Sequence, residues 1–107
     1  NHLLQVLAHV AMEPPIRADA PSIRDEKLKL FKSLRPITKK DVKDQVIRAQ
    51  YTQGRTKSGD EVSYRDAPGV PDDSKTETYV GMKFFIDNWR WAGVPFFVRT
   101  GKCLPLK

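Results

Sequence analysis

The 107 residues hold a single cysteine, Cys103, so neither an internal disulfide framework nor a cysteine-based zinc site can be built from them. A reducing compartment is the expectation that follows, with the cytoplasm as the expected location. No window approaches the ~18 consecutive apolar residues of a membrane span, and no membrane partner is expected. The apolar opening "NHLLQVLAHVAM" lacks the basic start and small-residue cleavage site of a signal peptide, and its apolar period is helical. Glycine is sparse, at six residues, and nowhere does it form the strand, Gly-rich turn and helix of a dinucleotide fingerprint. There are only two histidines, His2 and His9. Seven residues of helix set them ~10 Å apart along the axis, too far to share one ion, so no metal site is expected. Internal repeats and low-complexity segments are also missing.

Acidic residues are outnumbered, thirteen against nineteen Lys and Arg, which leaves a net charge of +6. The excess gathers over Lys27 to Lys43, Arg48 to Lys57 and Arg99 to Lys107. The first two clusters read as solvated faces. The third follows an apolar run and a glycine, where anion binding and plain solvation are both open readings. The aromatics near Arg90 and Arg99 sit in apolar strand runs and no nucleic-acid motif is present, so no nucleic-acid partner is expected. Trp89 and Trp91 are expected to pack in a core or corner. Cys103 has no histidine near it in sequence and reads as an incidental thiol.

Periodicity divides the chain into a mainly helical part, 1–43, and a part of strands and loop, 44–107. Leu3, Leu4, Val6, Leu7, Val10 and Ala11 form a wide apolar helical face over residues 1–13, ended by Pro14 and Pro15. Ser22 is the expected cap of a second helix, whose first turn carries Asp25 and Glu26 and whose later turns carry Lys27, Lys29 and Lys32. Thr38 to Asp41 reads as one further turn. From Asp44 the period becomes two: "QVIRAQYT" alternates as a half-buried strand. Residues 53–75, rich in Gly, Pro, Ser and Asp, read as a long loop without elements, as functional or partner-facing loops often are. "TETYVGMKFFID" and "VPFFVRTG" then read as strands around a "NWRWAG" corner. Helices first and strands after predict an α+β fold with an antiparallel sheet. The last strands are apolar enough to need more partners than the chain supplies.

Two constellations carry chemistry. His2, at a helix start, is a suitable base near neutral pH when a carboxylate orients it, although none is adjacent within the chain. Lys102 and Lys107 are separated by a stiffening Pro105 and preceded by Gly101, read here as a tight turn. Two converging ammonium groups there suit a phosphate or polyhydroxy ligand.

The segments "NHLLQVLAHVAMEPP", "RDEKLKLFKSL" and "DNWRWAGVPFFVRTGK" resemble the glucose-6-phosphate dehydrogenase family, in the domain that follows its coenzyme domain. The likeness runs in order over essentially the whole chain, through "AQY" and "PGVPDDSKTETYVGMKFF", and the wording near Asn88 is of bacterial type. The resemblance implies oxidation of glucose 6-phosphate to 6-phosphogluconolactone with NADP, the first step of the pentose phosphate pathway. It implies that His2 is the general base, that Lys102 and Lys107 bind substrate, and that Arg99 faces a second, structural NADP found in some members.

It further implies a homo-oligomer, dimer or tetramer, joined through the sheet. The start at Asn1 in mid-helix predicts a piece of a longer protein. The Rossmann domain with the main NADP site, the carboxylate that orients the base, the His and Lys motif for the substrate phosphate and the later strands would all lie outside these residues. Alone, the piece is expected to be inactive and marginally stable at its ends. Two rival readings stand beside this one: a structural dimerisation piece, and a basic module for phosphorylated ligands or RNA without catalysis.

Overall fold

The computed structural model describes residues 2–56, 59–61 and 63–104. Three helices come first, α1 (His2–Ala11), α2 (Ala20–Ser33) and the short α3 (Val42–Gln45). Strands β1 (Val46–Ala49), β2 (Gly54–Thr56) and β3 (Gly59–Glu61) follow, then a 3-10 turn at Tyr64–Asp66, β4 (Tyr79–Phe84) and β5 (Phe96–Gly101). β1, β4 and β5 form a three-stranded sheet in that order, both pairings antiparallel. The architecture is the α+β arrangement that the change of period predicts.

In α1, Leu7, Ala8 and Ala11 form the buried stripe, at the spacing one helical face requires. The alanines let the helix backbone come close to its neighbours. Val6 and Val10, counted in the same wide apolar face by sequence, remain 63% exposed. In α2 the cap is Asp19, not Ser22: the Asp19 carboxylate accepts the Ser22 backbone N–H at 2.8 Å. The shift has a simple cause. Pro21 has no N–H to offer and a φ already suited to a first turn, so the helix begins ahead of it and Ser22 becomes the donor. Asp41 is likewise drawn backward, accepting from the Thr38 backbone N–H at 2.9 Å and its hydroxyl at 2.6 Å. The turn expected at Thr38 to Asp41 is present, closed by the Asp41 N–H on the Thr38 carbonyl at 3.0 Å, and α3 continues from it.

The core is the meeting place of α1, α2 and the end of β4. Ala8, Ala11, Leu30 and Ile86 are buried together, with Phe31, Leu34, Trp91 and Phe96 packed against them. Ile86 lies just past β4 and bridges to Leu34. Backbone bonds from Arg35 N–H to the Phe85 carbonyl (2.9 Å) and from Asp87 N–H to the Ser33 carbonyl (2.7 Å) fix that crossing. Outside it, the Arg35 guanidinium holds Asp87 through two bonds, 2.5 and 3.1 Å.

One sheet face meets the helices through Phe96, whose β4 partner Phe84 is also buried. On the other, Ile47 is 68% and Phe97 79% exposed. The 53–75 stretch is not devoid of structure: β2 and β3 pair as a hairpin, Gly54 opposite Glu61. Such three-residue strands are too short to leave a period in sequence. Gln50 ties the return of the loop to the sheet, its amide donating to the carbonyls of Ser74 (2.9 Å) and Thr76 (2.7 Å). Trp89 departs from expectation and is wholly exposed, while Trp91 packs.

Two outcomes follow for stability. Ile86→Ala, at a fully buried position, should cost about 2–5 kcal/mol in denaturant unfolding. The carboxyls of Asp19 (bonded by Ser22), Asp41 (by Thr38) and Asp87 (by Arg35) are all held below the ordinary 3.8. Their stabilisation is complete above that value and is lost as pH falls through it to the depressed folded values. Thermal melts between pH 6 and pH 2 should show this acid loss, reduced in Asp87→Asn; an equal loss in both proteins would show that Asp87 takes no part.

Candidate functional site

The candidate residues sit at the free ends of two elements. His2 is exposed as the first residue of α1, whose first turn carries no acidic residue. Lys102 is exposed one residue beyond β5. Its backbone N–H donates to the Thr78 carbonyl at 2.8 Å, which prolongs the β4–β5 ladder past the Tyr79–Gly101 pair. The lysine thus leaves a rigid strand end. Lys107 lies outside the described residues.

Gly101 is not the tight turn that sequence indicated. A Cβ there would come within 2.9 Å of the Tyr79 ring, whereas the left-handed backbone belongs to Cys103, at φ 50°. The glycine is needed for close approach. At Gly81 a Cβ would lie 3.3 Å from the Tyr79 hydroxyl. The ring of Tyr79 therefore lies along the sheet over two glycines, beside Lys102. A depression of about 260 Å³ opens there, lined by Glu77, Thr78, Tyr79, Val80, Thr100, Gly101 and Lys102. Glu77, the carboxylate in it, is paired with Arg48. Tyr79 was not singled out from sequence; the signal was a pair of glycines inside strand patterns.

Arg99 is exposed on β5 opposite Gly81. It lines a second concavity, about 440 Å³, with Tyr79, Lys83, Phe97, Ile47 and Asp44 among its walls. Tyr79 borders both hollows and stands between Arg99 and Lys102.

His2 and Lys102 come from different elements that share one anchor. Trp91 donates its indole N–H to the Ala11 carbonyl at 2.8 Å and packs edge-on against Phe96, ring centres 5.0 Å apart. Its own backbone N–H is held by the Asn88 side chain at 2.9 Å. Next to it, Arg90 stacks 4.9 Å over the same indole and pairs with Glu13 at 3.3 Å. From this anchor His2 lies ~14 Å up the helix axis, and Lys102 ~20 Å along the strand.

The His2 imidazole has a ring nitrogen that can accept a proton from a substrate hydroxyl. The ammonium of Lys102 offers three donors and a charge to a phosphate or hydroxyl. Among the described residues no three potential metal ligands gather, and no helix is long and apolar enough to cross a membrane.

Known proteins match this chain throughout. The family model described as glucose-6-phosphate dehydrogenase, C-terminal domain, covers residues 1–107. The glucose-6-phosphate 1-dehydrogenase of Aggregatibacter actinomycetemcomitans is 51% identical over 107 residues, which is all of this chain and 22% of that protein. That of Bacillus subtilis (strain 168) is 48% identical over 102 residues, 95% of this chain and 21% of the relative. The crystal structure of glucose-6-phosphate 1-dehydrogenase from Mycobacterium avium superimposes with a TM-score of 0.76 at 46% identity, covering 94% of this chain and 20% of its own. A second glucose-6-phosphate dehydrogenase, solved in complex with its substrate glucose-6-phosphate, gives 0.76 at 44%, covering 94% and 20%. The chain thus spans about a fifth of the length of these relatives. With the α+β fold, the two motif-bearing ends and every residue matched, the chain belongs to the family of glucose-6-phosphate dehydrogenase C-terminal domains.

Proposed function

We propose that this chain is part of a dehydrogenase that oxidises C1 of glucose 6-phosphate to give 6-phosphogluconolactone, the entry step of the pentose phosphate pathway. The observation that carries this reading is the match over all 107 residues, at about half identity, to glucose-6-phosphate 1-dehydrogenases. His2 is the general base that accepts the C1 hydroxyl proton. Lys102 binds the substrate, with Lys107 as the next basic contact. Supporting this, Lys102 projects from a strand end whose backbone is fixed, and Glu77, the carboxylate beside it, is already engaged by Arg48.

NADP, when bound, supplies the acceptor for the C1 hydride. The described residues do not fit its main site: among them the sheet is antiparallel throughout, without the parallel strand-helix-strand crossover of a dinucleotide fold. That site belongs, in this reading, to a Rossmann domain outside these residues, as does the carboxylate that orients His2. Arg99 is the proposed contact of a second, structural NADP; its exposed guanidinium beside Tyr79 and Lys83 suits a phosphate.

The segments 1–43 and 44–107 are the helical and sheet parts of one larger C-terminal domain. The enzyme is a cytoplasmic homo-oligomer, dimer or tetramer, assembled through the sheet. The exposure of Ile47 and Phe97 on the sheet face supports this and equally favours the second reading, a structural dimerisation piece that is inert alone.

Both roles are testable in the full-length dehydrogenase that carries this segment. His2→Ala should lower turnover by roughly 10²–10⁴-fold with KM for glucose 6-phosphate little changed; turnover near wild type would remove His2 as the base. Lys102→Ala should raise that KM by roughly ten- to a hundredfold, the loss of a charged hydrogen bond. Steady-state kinetics that leave KM where it was would take Lys102 out of the site.

A further inference from the structure

We infer that Trp91 is a positioning residue for the reaction: it fixes the angle between α1 and β5, and so sets the general base on the substrate held at the strand end. The inference rests on the proposed roles of His2 and Lys102.

Trp91 touches both elements by different means. Its indole N–H bonds the carbonyl of Ala11, the last residue of α1, at 2.8 Å. That carbonyl is one of those a helix end leaves without an intrahelical donor. The ring then meets Phe96, the first residue of β5, in a T-shaped contact with planes 80° apart. The indole is itself oriented. Asn88 accepts the Trp91 backbone N–H, the Ala92 N–H bonds the Asn88 carbonyl (3.0 Å), and the Val94 N–H bonds the Trp91 carbonyl (2.9 Å). The corner is therefore a closed loop of hydrogen bonds that aims one donor at α1. Arg90 doubles the tie by pairing with Glu13 just past the helix.

Geometry gives this tie leverage. It holds α1 at the end away from His2, so a tilt of ~4° about Ala11 moves His2 by ~1 Å. A displacement of that size at a reacting group can cost up to about 10²-fold in rate. The Gln5 side chain, bonded by Lys27 at 2.9 Å, steadies α1 against α2, not against β5. α1 and β5 also touch directly, with Phe96 packed on the cluster that holds Ala8 and Ala11; the directional bond that fixes the helix end on the corner before β5 is made by Trp91. Because Lys102 rides on β5, whose pairing with β4 does not involve the indole, substrate binding should be spared when the indole bond is lost.

The test uses the full-length dehydrogenase with Trp91→Phe, and with 3-benzothienylalanine in place of Trp91, which keeps the ring volume and replaces only the N–H. Both should lower kcat by about tenfold, leave KM for glucose 6-phosphate within about twofold, and raise the primary isotope effect on kcat with substrate deuterated at C1. The larger isotope effect marks a slower chemical step, which a smaller folded fraction cannot produce. If kcat falls while the isotope effect stays at its wild-type value, or if only the melting temperature falls, Trp91 is structural and the inference is overturned. His2→Ala measured alongside separates the two levels. Turnover that survives His2→Ala overturns the functional reading and this inference with it. Turnover lost in His2→Ala but an unchanged isotope effect at position 91 overturns the inference alone.

Discussion

The structure depends on the burial of Ile86. This side chain has no exposed surface, and it sits where α1, α2 and the end of β4 converge. Around it the chain arranges two alanines on α1 to admit the helix backbone, Leu30 from α2, and the aromatic flank of Phe31, Trp91 and Phe96. The neighbouring residues finish the junction with polar bonds: Arg35 and Asp87 each give a backbone N–H across the crossing, then pair their side chains outside it. A small apolar core can hold this much because it is placed at the crossing of three elements and framed by directional bonds. Everything further from it, including the open sheet face, depends on that joint for its orientation.

What was legible in the sequence was what burial writes as a period. The stripe of α1, the apolar side of α2 and the change to alternation at β1 all follow from one side being covered. The sequence was less informative where a polar group chose among near neighbours. Asp19 and Ser22 are both good caps, and only the position of Pro21 decides between them. The β2–β3 hairpin is too short for any period. Trp89 and Trp91 are two residues apart in one corner, and their opposite fates depend on the direction in which that corner faces the core.

For the candidate site, the two motifs at the chain ends pointed to His2, Lys102 and Arg99, and each is found exposed at an element end or on the open sheet face. Residue type alone could not reveal the parts between them. Tyr79 and Trp91 are large aromatics in apolar runs, where a packing role and an orienting role look alike. The difference lies in what the polar tip or ring edge touches: the carbonyl of Ala11 for Trp91, the missing Cβ of two glycines for Tyr79.

That last arrangement couples three positions that are not adjacent in sequence. At Gly81 the obstacle is the hydroxyl of Tyr79, so a phenylalanine at position 79 would leave room there for a methyl group. At Gly101 the obstacle is a carbon of the ring itself, 2.9 Å from where a Cβ would stand, and no loss of a hydroxyl relieves it. An alanine at position 81 therefore asks the Tyr79 hydroxyl to give by a few tenths of an ångström, whereas one at position 101 asks the ring itself to move. The room for a side chain at both positions is set by the lie of one ring.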